Sequence, residues 1–372
     1  MLTSWDDYPI HQTSLPIAVT ASSEGGRYDR YWLAMYDLKT TTQLGIALGI
    51  YPNRMVVDAS VSISRDGKQS SVFASGPLMP DRITEVGPIK LQVIEPMRVI
   101  RVSLQNVGGM SCDLEFVATS PVFNEGHMRR VAGNVLLSER TRFVQFGEWS
   151  GEFTYEGEKV TCKPGEWLGV RDRSWGSRTT GTVSELSMDS GAKSIWFSWA
   201  LVPFKDNFIV AGANEGADGW REASAAGELP RLSPGRSTYD ESLGIRMSNN
   251  IDFDITYVAG TRRPSRAGLT IGPRGAIDHH VDLELHNVFL LKGLGYFHPL
   301  WAHGSNKGGL QVGTDSWKIE DLDPTATENL ATDHIATAVR EDGQVGIGWF
   351  EHIAIGSHDP SGFTDDNGPA HL

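Results

Sequence analysis

Asp172 stands in the segment Arg171-Asp172-Arg173-Ser174-Trp175-Gly176, which closes a strand-like run beginning at Trp167. Side chains of a strand alternate between faces, so Asp172 falls in phase with Leu168 and Val170 and its carboxyl group turns toward the apolar side. Poor solvation there disfavours the ionised form and raises the pKa, whereas contact with Arg171 or Arg173 lowers it. Asp172 is thus a candidate acid. The alternative is a structural ion-pair network at a strand end, which perturbs pKa values as well.

A second concentration of chemistry lies between Gly293 and Gly304, where Tyr296, His298, Trp301 and His303 fall close together. Imidazole titrates near neutrality and a phenol donates or accepts a hydrogen bond, so this segment can activate water or carry a proton. Its plainer role is a turn whose histidines satisfy backbone groups. Glu351 belongs to the strand-like run Gly348 to Gly356, on the face of Trp349, Ile353 and Ile355, where a carboxylate needs a partner; a buried hydrogen-bond acceptor is the simplest account of it. Asp278, His280, Asp282, Glu284 and His286 share one face of another run and offer oxygen and imidazole ligands. Alternation with Val281, Leu283 and Leu285 equally marks a solvated outer face, and no metal is expected.

The elements that must position these residues read as strands. Period-two patterns run through Val57 to Ile63, Ile89 to Val93, Ile100 to Leu104 and Val281 to Leu285, bounded by turn residues such as Arg65-Asp66-Gly67-Lys68. Helical periodicity is confined to short stretches near Pro121 to His127 and Leu322 to Leu330. The fold class is all-β, and many antiparallel strands with 41 glycines suit barrels or sandwiches. A polar stretch from Ala213 to Ser237 reads as a long loop, and the segment from Ser357 onward as a loose tail. The 372 residues divide most naturally near 180 to 190, where Thr179-Thr180-Gly181 precedes a fresh series of strands. This gives an N-terminal unit of residues 1–185 and a C-terminal unit of 186–372.

Composition narrows the partners. A net charge of -13 opposes attraction to phosphate backbones, so nucleic acid is not expected. No apolar run is long enough for a membrane span and no leader pattern opens the chain. Cys112 and Cys162 make no disulfide framework and suit a reducing, cytoplasmic interior. Phosphate-cradling glycine loops, His-Glu-x-x-His and Gly-x-Ser-x-Gly are all missing, which lowers nucleotide use and serine hydrolysis in rank and leaves no cofactor expected.

Taken together, Leu48-Gly49-Ile50-Tyr51-Pro52-Asn53, Gly169 to Gly176 and Gly293 to Gly304 resemble the hydroxyneurosporene synthase (carotenoid hydratase) and AttH-like superfamily. The resemblance implies two lipocalin-like antiparallel β-barrels in tandem and a hydrophobic ligand of terpenoid or polyketide kind. It implies Asp172 as the acid that protonates an alkene, Trp175 as the ring beside the cation, and Tyr296, His298 and His303 as the groups that place water and take its proton. Arg171, Arg173, Trp301 and Glu351 join Trp175 as expected substrate-binding residues. The expected activity is that of a cofactor-independent hydratase or dehydratase. An isomerase or cyclase using the same site, or a carrier of an apolar ligand, is the alternative, and a homodimer stays open.

Overall fold

The structure is a computed structural model that describes residues 4–9, 16, 18–132, 135–178, 194–233, 238, 244–272 and 278–369. The first half forms β1 (Arg27–Asp37), β2 (Thr42–Tyr51), β3 (Val56–Arg65), β4 (Lys68–Pro77), β5 (Glu85–Val86) and β6 (Ile89–Glu95). It continues with β7 (Val99–Val107), β8 (Met110–Ala118), β9 (Phe123–Ala132), β10 (Val135–Tyr155), β11 (Glu158–Cys162) and β12 (Trp167–Ser177). The second half supplies β13 (Ile195–Pro203), β14 (Asn207–Glu215), β15 (Arg221–Pro230), β16 (Arg246–Ser248) and β17 (Ile251–Tyr257). Then come β18 (Pro264–Ile271), β19 (His279–Leu290), β20 (Gln311–Lys318), β21 (Ala331–Arg340) and β22 (Val345–Ile355).

All pairings are antiparallel. The first sheet runs β20-β4-β3-β2-β1-β12-β10-β8-β7-β6-β5, with β9 and β11 also paired to β10; the second runs β16-β15-β14-β13-β22-β21-β19-β18-β17. Each curls on itself, β5 and β6 returning to β3 and β17 to β14 and β15, so the chain is all-β with two lipocalin-like barrels in tandem, as expected. β20 is the exception to chain order: it comes from the second half and extends the edge of the first sheet along β4. Among the described residues no α-helix forms, and no helix is long and apolar enough to cross a membrane.

Local sequence explains the hairpins. Asp66 and Gly67, both at positive φ, turn β3 into β4, and Glu156 and Gly157 do the same between β10 and β11. A two-residue turn of this hand matches the twist of the strands it joins. β2 is buried along its whole length, which its apolar run Leu44 to Ile50 anticipates, because both of its faces are covered. Leu44, Ile46 and Leu48 fill the first curl, Ala200, Val202 and Ile209 lie in the second, and a third core between the sheets joins Trp32, Tyr36 and Phe146 to Trp199, Leu201 and Trp349. Gly45 permits that contact: a Cβ there would stand 2.5 Å from Phe289 Cζ and 2.9 Å from Leu294 Cδ1.

Several sequence expectations change. Phe123 to His127 is the start of β9 rather than helix, because β10 satisfies its backbone. Residues 322–330 hold only the 3-10 turn Thr327–Asn329. The stretch from Ala213 contains β15, whose small residues Ala223, Ala225 and Ala226 pair along β14. Residues 357–369 are docked rather than loose, with Phe363 buried and the Arg262 guanidinium donating to the carbonyls of Thr364 and Gly368. The division expected at 180 to 190 lies outside the described residues. Cys112 and Cys162 are free and buried.

Candidate active site between the two sheets

On β12 the alternation of faces separates Asp172 from its neighbours in sequence. Arg171 turns into the first barrel, where Nη1 and Nη2 donate to Asp7 at 2.6 and 3.0 Å and Nε and Nη2 donate to Gln145 Oε1. Arg173 follows it, pairs with Asp29 and lies 4.1 Å over the Tyr31 ring. Trp175 lies on that same face, edge-on to Phe143. None of the three meets Asp172, which faces the second sheet.

Across the strands Asp172 is flanked by Trp32 of β1 and Val144 of β10. Its nearest cation is Arg142, with Nη1 4.0 Å from Oδ2, while Oδ1 is buried without a hydrogen bond. Arg142 is itself committed to Glu125 at 2.5 Å and lies 4.0 Å over the ring of Trp199. Burial raises the Asp172 pKa against the opposing charges of Arg142 and Arg30.

The second sheet presents a complementary row. Glu351 of β22 stands between Trp199 of β13 and Asp333 of β21 in direct register. Gly212, beside Trp199, leaves the indole its space, since a Cβ there would fall 2.9 Å from Trp199 Cδ1. Asp333 is fully buried and neither oxygen makes a hydrogen bond of ordinary geometry. Burial and the Glu351 charge hold its pKa well above the usual carboxylate range, with the Trp349 indole only partly offsetting them. Burial pushes Glu351 up to about 7, opposed by Arg142 and reinforced by the charge of Asp172. Trp32 packs 5.7 Å from Trp199 and 5.9 Å from Trp349 between ring centroids, so indoles from both sheets wall the carboxyl groups.

Arg30 links this centre to part of the Gly293 to Gly304 segment. Its Nη1 donates to the Tyr296 hydroxyl at 2.8 Å and its Nη2 to the Leu294 carbonyl at 3.0 Å. His303 packs against Tyr296 at 4.5 Å, with Nε2 3.0 Å from the Leu294 carbonyl, and burial with Arg30 and Arg178 nearby holds it neutral. Although Trp301 lines one small cavity with His303 and Leu294, His298 and the Trp301 ring lie farther from Asp172. They pack on Phe73, which occupies the register row Asp172, Trp32, Ala47, Ser60, Phe73, four strand spacings or about 19 Å along the sheet from Asp172. There His298 Nδ1 accepts the amides of Leu300 and Trp301 at 3.1 and 3.0 Å, as a structural cap does.

The structure therefore brings Asp172, Glu351, Tyr296 and His303 into one electrostatic neighbourhood and sets Arg171, Arg173, Trp175, His298 and Trp301 apart from it. Sequence reasoning missed Asp333, whose in-phase neighbours Ala331 and Ile335 carry the same signal that singled out Glu351. It also missed Arg30, Arg142, Trp32 and Trp199, which no local pattern connects to Asp172. The face of β19 that bears His280, Asp282 and Glu284 is exposed, and among the described residues no group of three or more acidic, histidine or cysteine side chains could hold a metal ion.

Fold and site define a protein of two lipocalin-like barrels with a buried carboxyl centre between them. An AttH-type protein from Nitrosomonas europaea shares this fold at a TM-score of 0.55 and 13% identity over 88% of this chain and 92% of that one. Kievitone hydratase from Nectria haematococca shares it at a TM-score of 0.53 and 14% identity over 93% and 97%. The tandem-barrel architecture implied by the sequence resemblance is thus the one found. No curated protein sequence matches the chain. It belongs to a family of unknown function (DUF8625), whose profile spans residues 2–364.

Proposed function

We propose that the protein is a cofactor-independent lyase of the hydratase or dehydratase type, moving a proton to or from a hydrophobic, terpenoid- or polyketide-like small molecule seated between the two sheets. The observation that carries this is the set of buried carboxyl groups turned into the inter-sheet core, Asp172 from the first sheet and the register neighbours Asp333 and Glu351 from the second, with Asp172 Oδ1 and both Asp333 oxygens lacking a hydrogen bond of ordinary geometry. Carboxyl groups that share a low-dielectric space do not all ionise at neutral pH, and environments that push their pKa values apart assign the acid and the base. Burial raises both Glu351, to about 7, and Asp172, and at Asp172 the charges of Arg142 and Arg30 oppose that rise, so the two environments differ. Trp32 and Trp199 take the part that the motif suggested for Trp175, since an indole face beside a carbocation contributes about 0.5–2 kcal/mol. Tyr296 and His303, reached through Arg30, are the groups that would orient water. The name of the kievitone hydratase, a protein of the same fold, supports hydration as the reaction class.

The test begins with solvent extraction of ligand from the purified protein and its identification by mass spectrometry, followed by incubation in H₂¹⁸O and in D₂O. Incorporation of ¹⁸O or deuterium by the native protein, reduced at least about 100-fold in both Asp172→Asn and Glu351→Gln, is the expected result. A ligand that returns unaltered from the native protein contradicts the proposal and leaves a carrier.

A further inference from the structure

The inner face of the second barrel carries a second polar constellation, on the sides of β13 and β22 turned away from the first sheet. A cleft of about 520 Å³ opens there, lined by Trp196, Glu215, Tyr257, His358 and Ser361 among others. His358 is buried against the Trp196 indole, stacked at 5.0 Å. Its Nε2 lies 3.0 Å from Glu215 Oε2 and its Nδ1 2.8 Å from Ser361 Oγ. With Nε2 protonated and donating to the carboxylate, Nδ1 is left to accept the serine proton. Glu215 stays ionised: burial raises its pKa, but His358 and Arg221 outweigh burial and lower it.

A second chain of hydrogen bonds reaches the same serine from the opposite side. Ser198 Oγ lies 2.9 Å from His352 Nδ1, and His352 Nε2 lies 3.3 Å from the Tyr257 hydroxyl, which is 3.4 Å from Ser361 Oγ. Burial keeps His352 neutral, with its pKa near 3, and raises that of Tyr257, so a neutral imidazole can donate from Nε2 to the tyrosine oxygen. The tyrosine hydroxyl is then left to donate toward Ser361 Oγ.

We propose that this cleft is a second, acyl-transferring site in which Ser361 is the nucleophile, His358 its base and Glu215 the group that orients the imidazole, acting on small carboxylic esters. A nucleophile, a base in hydrogen-bond reach and a third group fixing the base define such a site by geometry and role, whatever the order in the chain. The absence of a glycine-flanked serine elbow therefore does not bear on it. Ser361 Oγ bonds to the acyl carbon as its proton passes to His358 Nδ1, and the Tyr257 hydroxyl donates to the developing oxyanion. Collapse breaks the bond to the alcohol, which leaves with that proton. Water then attacks the acyl-serine, gives a proton to His358 and releases the carboxylic acid as the serine is re-protonated.

The full-length protein is treated with an alkyl fluorophosphonate and digested, and the modified peptide is found by mass spectrometry; p-nitrophenyl acetate is turned over in parallel. The expected result is a single adduct on Ser361, with release of p-nitrophenol. Labelling is lost in Ser361→Ala and slowed at least about 100-fold in His358→Gln, while both variants keep the native melting temperature within a few degrees. An unmodified Ser361 peptide in the native protein, which requires no variant to fold, overturns the proposal, as does an unchanged labelling rate in His358→Gln.

Discussion

Asp172 and Glu351 differ from their ordinary solution behaviour because two sheets remove water from them, and this makes a stability prediction with a definite sign. Glu351 is raised to about 7 in the folded protein, so between the unfolded-state pKa and about 7 the native state holds the extra proton. Stability from this group is complete below the unfolded pKa and is lost as pH rises through 7. Glu351→Gln removes the ionisation, and in urea titrations it should gain about 2 kcal/mol relative to the native protein between pH 5 and pH 8; an unchanged difference across that range contradicts the assignment. His298 supplies the contrasting case. Its Nδ1 accepts two backbone amides, so His298→Ala should cost about 1–3 kcal/mol in the same titration and leave turnover of the extracted ligand within about threefold of native. The sequence made Asp172 and Glu351 legible because each breaks an apolar phase. It gave His298 the wrong neighbourhood because residues spaced along a turn do not share a wall, and Trp175 the wrong face because period two sets it with Arg171 and Arg173.

At the scale of elements, strands and hairpins were readable wherever period two was regular, as in β3, β6, β7 and β19. β9 and β15 escaped because their stability comes from partners distant in sequence, β10 and β14, rather than from their own patterning. The register that sets Glu351 opposite Asp333, or Asp172 in one row with Trp32, is likewise a tertiary fact. Close approach of the sheets depends on small residues at the crossing. Gly45→Ala drives a methyl into Phe289 and Leu294, and overpacking of this kind costs about 1–3 kcal/mol, measurable as a lowered urea midpoint with an unchanged m-value. A midpoint equal to native would show that the sheets can separate without penalty.

The whole molecule is joined by the inter-sheet core and by β20, which carries a strand of the second half into the first sheet. Unfolding either half strips apolar cover from the other, so calorimetry should record a single transition, and Leu201→Ala, at the crossing, should lower that transition as a whole by about 2–5 kcal/mol. Two transitions, only one of them shifted, would contradict a shared core. The same closure of sheet on sheet is what raises the carboxyl group of Glu351 to about 7, the condition on which the proposed proton transfer rests. The most direct test is an infrared titration of the native protein against Glu351→Gln, following the carbonyl stretch of the protonated acid in the difference spectrum. The account predicts, beside the Asp333 band that both proteins share, a component that persists at pH 6, is lost with a midpoint near 7 and is missing from the variant; a native-minus-variant spectrum with no protonated acid above pH 5 would contradict it.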